Sequence, residues 1–171
     1  VVAPELDGAI DFIKEVKDKV RVCLGHTNCD YQTASCAFDA GARELTHTFN
    51  AMPPMLHRAP GPIVAASENA KVLAELICDG VHVNPAMVRM AFKLFSKDNI
   101  VMISDSMMAT GLENGTYALG GQKVLVNENV ATLEDGTIAG SVTNLFSCFK
   151  LAVNKMGIKL EDAIKACTYN P

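Results

Sequence analysis

The chain has 171 residues, 49 % of them hydrophobic, enough for one globular domain with a real core and too apolar for a disordered one. Its net charge of −4, with acids and bases interspersed, excludes the basic footprint of a nucleic-acid binder. No apolar run approaches the roughly 20 residues of a membrane span.

The opening VVAPELDGAIDF lacks the basic and apolar regions of a signal peptide and reads as the inside of a domain. It places a strand end at residues 1–3, running into a helix on which Leu6, Ile10, Ile13 and Val16 or Val20 repeat at helical spacing. Residues 20–24 are a strand broken only by Arg21. Gly25, His26 and a polar turn follow. Residues 31–40 are a small-residue helix with Gly41 as its stop. A short strand spans 43–46, and a Pro-rich loop spans 49–62 with Pro53, Pro54, Pro60 and Pro62. A loop of this length inside a compact domain is often functional.

Residues 72–78 are a buried strand. Pro85 opens a helix whose apolar stripe is Met87, Val88, Ala91, Phe92 and Phe95. Residues 100–104 are the last parallel-type strand. Beyond them, 116–126 reads as a hairpin turning at Gly120-Gly121, and 131–140 as another turning at Asp135-Gly136. Helices over 141–156 and 160–167 finish the chain, separated by Gly157. Five βα units leave two architectures open, a doubly wound sheet and part of a (β/α)8 barrel. The GxGxxG turn of a dinucleotide fold is absent.

The six cysteines show no CxxC pairing, and reduced thiols in a cytoplasmic protein are expected, with disulfides as the alternative. The histidines carry more information. His26 and His47 each close a strand, and Asp105 closes a third. A lone loop histidine is ordinarily satisfied by backbone. Two on consecutive strand ends point into one rim, where imidazoles suit zinc or iron. Asp105 reads either as a structural or capping carboxylate or as a proton carrier beside a metal. His82, in DGVHVNP, lies further past its strand and reads as a substrate-orienting group or a surface histidine. Arg58, in the Pro-rich loop, is a candidate for phosphate or carboxylate. Two imidazoles are too few for a catalytic zinc, which has three protein ligands and an open position.

The segments APELDGA (3–9), LGHTNCDY (24–31), THTFNAMPPMLHRAPG (46–61), LICDGVHVNP (76–85), ISDSMMATGL (103–112), YALGG (117–121) and TIAGS (137–141) together resemble the N-acetylglucosamine-6-phosphate deacetylases of the amidohydrolase superfamily. They span almost the whole chain, and the NAMPP…HR loop joined to DGVH is their most specific part.

The resemblance implies a catalytic Asp105 and a divalent metal, zinc or iron, on His26 and His47. It implies substrate contacts from Asn50, Ala51, Arg58, His82 and the turn Ile138, Ala139 and Gly140. It also implies a cytoplasmic enzyme, homodimeric at full length, that cleaves the acetamide of N-acetylglucosamine 6-phosphate. The family's remaining ligand, a glutamate on an earlier strand, matches neither Glu5 nor Glu44. The expected fold is therefore about the last five βα units of a TIM-type barrel with a small antiparallel β insertion. Its parts are the barrel half at 1–114, a hairpin segment at 115–139 and closing helices at 140–171. Such a piece is expected to be inactive or feeble alone. Another amidohydrolase activity, deaminase or cyclic-imide hydrolase, and a non-catalytic half-barrel binding module are the rivals.

Overall fold

The computed structural model describes residues 1–171 as a mixed α/β fold with two sheets. Four strands, β1 (Cys23–Leu24), β2 (Glu44–Leu45), β3 (Leu73–Ile77) and β4 (Ile100–Ile103), form a parallel sheet in chain order. The register pairs Leu24 with Leu45 and Ala74 with Ile100. The expected strand at 1–3 is reduced to one parallel bridge, Val2 to Leu24.

Two of the linking helices begin where a side chain satisfies a free backbone amide. Asp30 caps α2 (Tyr31–Ala40) by accepting from the Thr33 amide at 2.8 Å, and Gly41 ends it at φ 134°. Asn84 caps α4 (Pro85–Leu94), accepting from the Ala86 amide at 2.9 Å, with Pro85 in the first turn where no amide is needed. Before these run α1 (Ala9–Val16) and, between β2 and β3, α3 (Gly61–Ser67). Two further helices, α5 (Leu145–Asn154) and α6 (Leu160–Thr168), complete the body.

Alternation along the strands gives the parallel sheet two unlike faces. Leu24, Leu45, Ala74, Leu76 and Ile100 are fully buried. They join Ile13, Phe38, Ile63, Val88, Cys148 and Ala163 from all six helices in one cluster. Each such Leu or Ile contributes roughly 1.5–3 kcal/mol of burial. The opposite face carries Cys23, Glu44, Glu75 and Val101, none of them in that cluster. A doubly wound sheet has helices on both faces and reverses its strand order. Neither holds for these four strands.

The second sheet is antiparallel: β5 (Gly115–Leu119), β6 (Gln122–Asn127) and β7 (Val130–Thr132). Gly120 and Gly121, both at positive φ, make the two-residue turn expected of them. The expected hairpin at 131–140 is only partly built. Its turn closes, with Leu133 donating to Thr137 O at 2.8 Å, but beyond one bridge, Thr132 to Ile138, the chain leaves for the parallel body. There Ser141 bridges Ser106 in parallel, a bend follows at Val142, and α5 starts only after the Asn144 cap. The Pro-rich loop likewise ends earlier than expected, in α3.

Candidate active site at the strand ends

His26, His47 and Asp105 stand two residues past the ends of β1, β2 and β4, and all three have left-handed backbones, with φ of 48°, 32° and 48°. That region is uncommon for residues other than glycine, though His and Asp enter it more readily than most. Close backbone approach sets the first two side by side. The Thr46 amide donates to Leu24 O at 2.7 Å, and a Cβ on Gly25 would meet Thr46 Cβ at 2.7 Å. The result is two perpendicular imidazoles, 4.7 Å between centroids, with their Nε2 atoms 2.9 Å apart.

The His47 tautomer follows from its neighbour. Nδ1 lies 3.1 Å from the Asn50 carbonyl, which can only accept, so Nδ1 carries a proton and the neutral ring keeps its lone pair on Nε2. Burial, reinforced by the adjacent His26, holds the His47 pKa below the ordinary imidazole value, favouring the neutral form a metal ligand needs. The Glu75 carboxylate, reaching up from β3, accepts the His47 amide at 3.1 Å. Burial raises the Glu75 pKa. The His47 amide counters this in part, and the negative charges of Glu44 and Asp105 add to the rise. On the other side, Glu5 ties down the turn after His26 through the Thr27 hydroxyl and the Asn28 amide, the latter at 2.6 Å.

A cavity of about 470 Å³ opens above these groups, lined by His26, His47, Asn50, Ala51, His82, Asp105, Leu119, Thr137, Ile138 and Gly140. Eight of the ten residues predicted from sequence thus meet in one place. Ala139 sits between two of them but points into the small cluster under the antiparallel sheet. Arg58 does not join the others. It is exposed and lines a separate cavity with Asn28, Tyr31, Gln32 and Pro53. Gly140 comes close because Ser141 is strapped to β4's end: its amide donates to Asp105 O at 2.8 Å and its hydroxyl to Ser104 O.

Two groups escaped the sequence reading. Asp79, three residues before His82, accepts from His82 Nδ1 at 2.7 Å and from the Val81 and His82 amides at 2.9 Å each. The aspartate-to-histidine spacing in DGVH was its available signal. Glu75 had none, since a glutamate inside a strand gives no hint of a backbone amide beyond the next strand.

The paired Nε2 atoms, that of His47 bearing the lone pair in the neutral ring, fit two positions of a divalent cation site. No cluster of three or more His, Cys, Asp or Glu ligands forms around them. Burial pushes the Cys78 thiol up and the Cys148 thiol to about 11, so neither offers a thiolate at neutral pH.

The chain is similar to known proteins in sequence and in fold. N-acetylglucosamine-6-phosphate deacetylase of Bacillus subtilis is 41 % identical over 144 residues, covering 84 % of this chain and 36 % of its own length. N-acetylgalactosamine-6-phosphate deacetylase of Escherichia coli O157:H7 is 36 % identical over 170 residues, covering 99 % of this chain and 45 % of its own. A variant of the Mycobacterium smegmatis N-acetyl-D-glucosamine-6-phosphate deacetylase, solved with N-acetyl-D-glucosamine-6-phosphate, superposes with a TM-score of 0.91 at 40 % identity. That match covers 96 % of this chain and 44 % of that one. The chain spans less than half the length of the curated relatives it matches. The model of the amidohydrolase family matches residues 1–171, and the chain belongs to that family.

Proposed function

We propose that residues 1–114 and 140–171 are later βα units and closing helices of a (β/α)8 barrel, with 115–139 inserted as a hairpin segment. Chain-ordered parallel strands with helices on one face support this reading. Within that barrel the rim hydrolyses the acetamide of N-acetylglucosamine 6-phosphate, giving glucosamine 6-phosphate and acetate. The observation that carries the reading is the convergence of His26, His47, His82 and Asp105 with Asn50-Ala51 and Ile138–Gly140 on one cavity.

His26 and His47 would hold a divalent metal, zinc or iron, through Nε2. When bound, it would supply Lewis acidity toward the amide carbonyl and acidify water. The Asp105 carboxylate, free of hydrogen bonds within the chain, takes a proton from the attacking water. It returns that proton to the amine nitrogen as the C–N bond breaks. His82 contacts the sugar. The Ala51 amide, which donates to nothing in the chain, faces the phosphate, and Ile138–Gly140 close over the substrate. Arg58, lying apart, serves a phosphate across a homodimer interface of the full-length enzyme.

Two imidazoles fall short of the three protein ligands of a catalytic zinc, so the 171-residue chain alone binds metal weakly and turns over feebly. The Escherichia coli relative favours a second substrate, the galactosamine epimer. Calorimetric titration of the zinc-supplemented chain tests the reading with both 6-phosphosugars, unphosphorylated N-acetylglucosamine and a cyclic imide. Either phosphosugar is expected to bind, with heat lost in His82→Ala. Preference for the imide, or indifference to the phosphate, overturns the proposal.

A further inference from the structure

The Asp79–His82 pair is built more tightly than a substrate contact needs. Both side chains are almost wholly buried, 4 % and 6 % exposed. Both Asp79 oxygens are engaged. One oxygen takes the amides of Val81 and His82, and the other faces His82 Nδ1. Burial by itself raises the Asp79 pKa, but the hydrogen bonds from the His82 ring and these two amides outweigh it and hold the group ionised. A carboxylate so engaged can only accept, so the nitrogen facing it must donate. The other ring nitrogen, Nε2, makes no hydrogen bond within the chain, and His82 lines the cavity.

We infer that Asp79 is a positioning residue that fixes His82 as its Nδ1–H tautomer, presenting Nε2 to the cavity as an acceptor for a ligand hydroxyl. The tautomer rests on geometry alone, and the ligand class rests on the deacetylase reading. An acceptor at this point selects a ligand that donates there. A ring locked by a buried partner surrenders no rotamer freedom on binding. With an amide in place of the carboxylate, the carbonyl keeps the two backbone amides and the NH2 turns toward the ring. Nδ1 must then accept, and the proton moves to Nε2.

Long-range proton–nitrogen NMR of the 15N-histidine-labelled chain at pH 8 reads the tautomer directly, with the His82 signals assigned by their loss in His82→Gln. The expected wild-type pattern is a protonated Nδ1 and a bare Nε2, exchanging places in Asp79→Asn. A wild-type ring protonated on Nε2, or on both nitrogens, overturns the inference. So does a folded Asp79→Asn whose tautomer is unchanged. The wild-type spectrum decides the matter even if Asp79→Asn does not fold. Titration with N-acetylglucosamine 6-phosphate should then shift the Nε2 resonance, at least tenfold more weakly in Asp79→Asn. If the tautomers behave as expected and the sugar leaves Nε2 unmoved, the hydroxyl-acceptor role and the deacetylase reading fail while the positioning role of Asp79 stands.

Discussion

The parallel sheet rests on a cluster of 28 buried residues and the antiparallel sheet on one of 6, yet both reach the same cavity. The larger body supplies His26, His47, His82 and Asp105. The smaller region supplies Leu119, Thr137, Ile138 and Gly140. Groups that must meet within a few tenths of an ångström stand on the part that is hard to deform. The residues facing them across the cavity stand on the smaller core, which is expected to open locally at lower cost.

Substitutions can break that division. Leu76→Ala, in the fully buried layer under the helices, is expected to cost about 2–5 kcal/mol and to lower the single urea-unfolding midpoint of the whole chain. Val124→Ala, the fully buried centre of the small cluster, removes two methyl equivalents and about 2 kcal/mol. Its effect should appear as faster amide exchange in β5–β7 with β1–β4 unchanged. Equal acceleration in both sheets would mean that they open as one unit.

Gly140→Ala sharpens the junction between them. Its φ of 65° and a Cβ only 3.2 Å from Met107 Cβ predict a loss of about 1–2 kcal/mol, with the Ser141 amide exchanging faster. A smaller, pH-dependent effect belongs to the rim. The unfolded chain takes up a proton near 6.5 that folded His47 refuses. The stability of metal-free protein is therefore full above that pH and declines as pH falls below it. Thermal melts between pH 7.5 and 5.5 should show the slope, flattened in His47→Gln. Smallest of all, breaking the exposed Lys123–Glu134 pair on the small sheet with Lys123→Ala should leave the melting midpoint unmoved.

Much of this was legible wherever a local signal coincided with its structural cause. Asp30 and Gly41 bracket α2, Pro85 opens α4, and Gly120-Gly121 turn the hairpin, because caps and turns are settled by neighbours in sequence. Strand-end polar residues pointed to one place because parallel strands in chain order bring their ends to the same edge of the sheet. Long-range pairing was hidden. Ser141 is extended because it meets Ser106, and nothing in residues 137–144 announces that partner. The seven residues of α3, opened by Gly61 and Pro62, are too few to show a helical period beside a Pro-rich loop. That Arg58 faces a separate cavity was hidden too, because sequence proximity to Asn50 says nothing about which side of a loop a side chain takes.

The left-handed backbones of His26, His47 and Asp105 bear on what selection for stability alone would have done here. Each such non-glycine residue costs on the order of 1–3 kcal/mol unless its surroundings hold it there. Glycine would sit in all three places without penalty. His26→Gly should thus give a chain that resists denaturant at least as well as the parent while losing an imidazole from the rim. A gain in robustness on deleting a polar side chain marks a position kept for work rather than for folding. Here three such positions, far apart in sequence, line the same cavity.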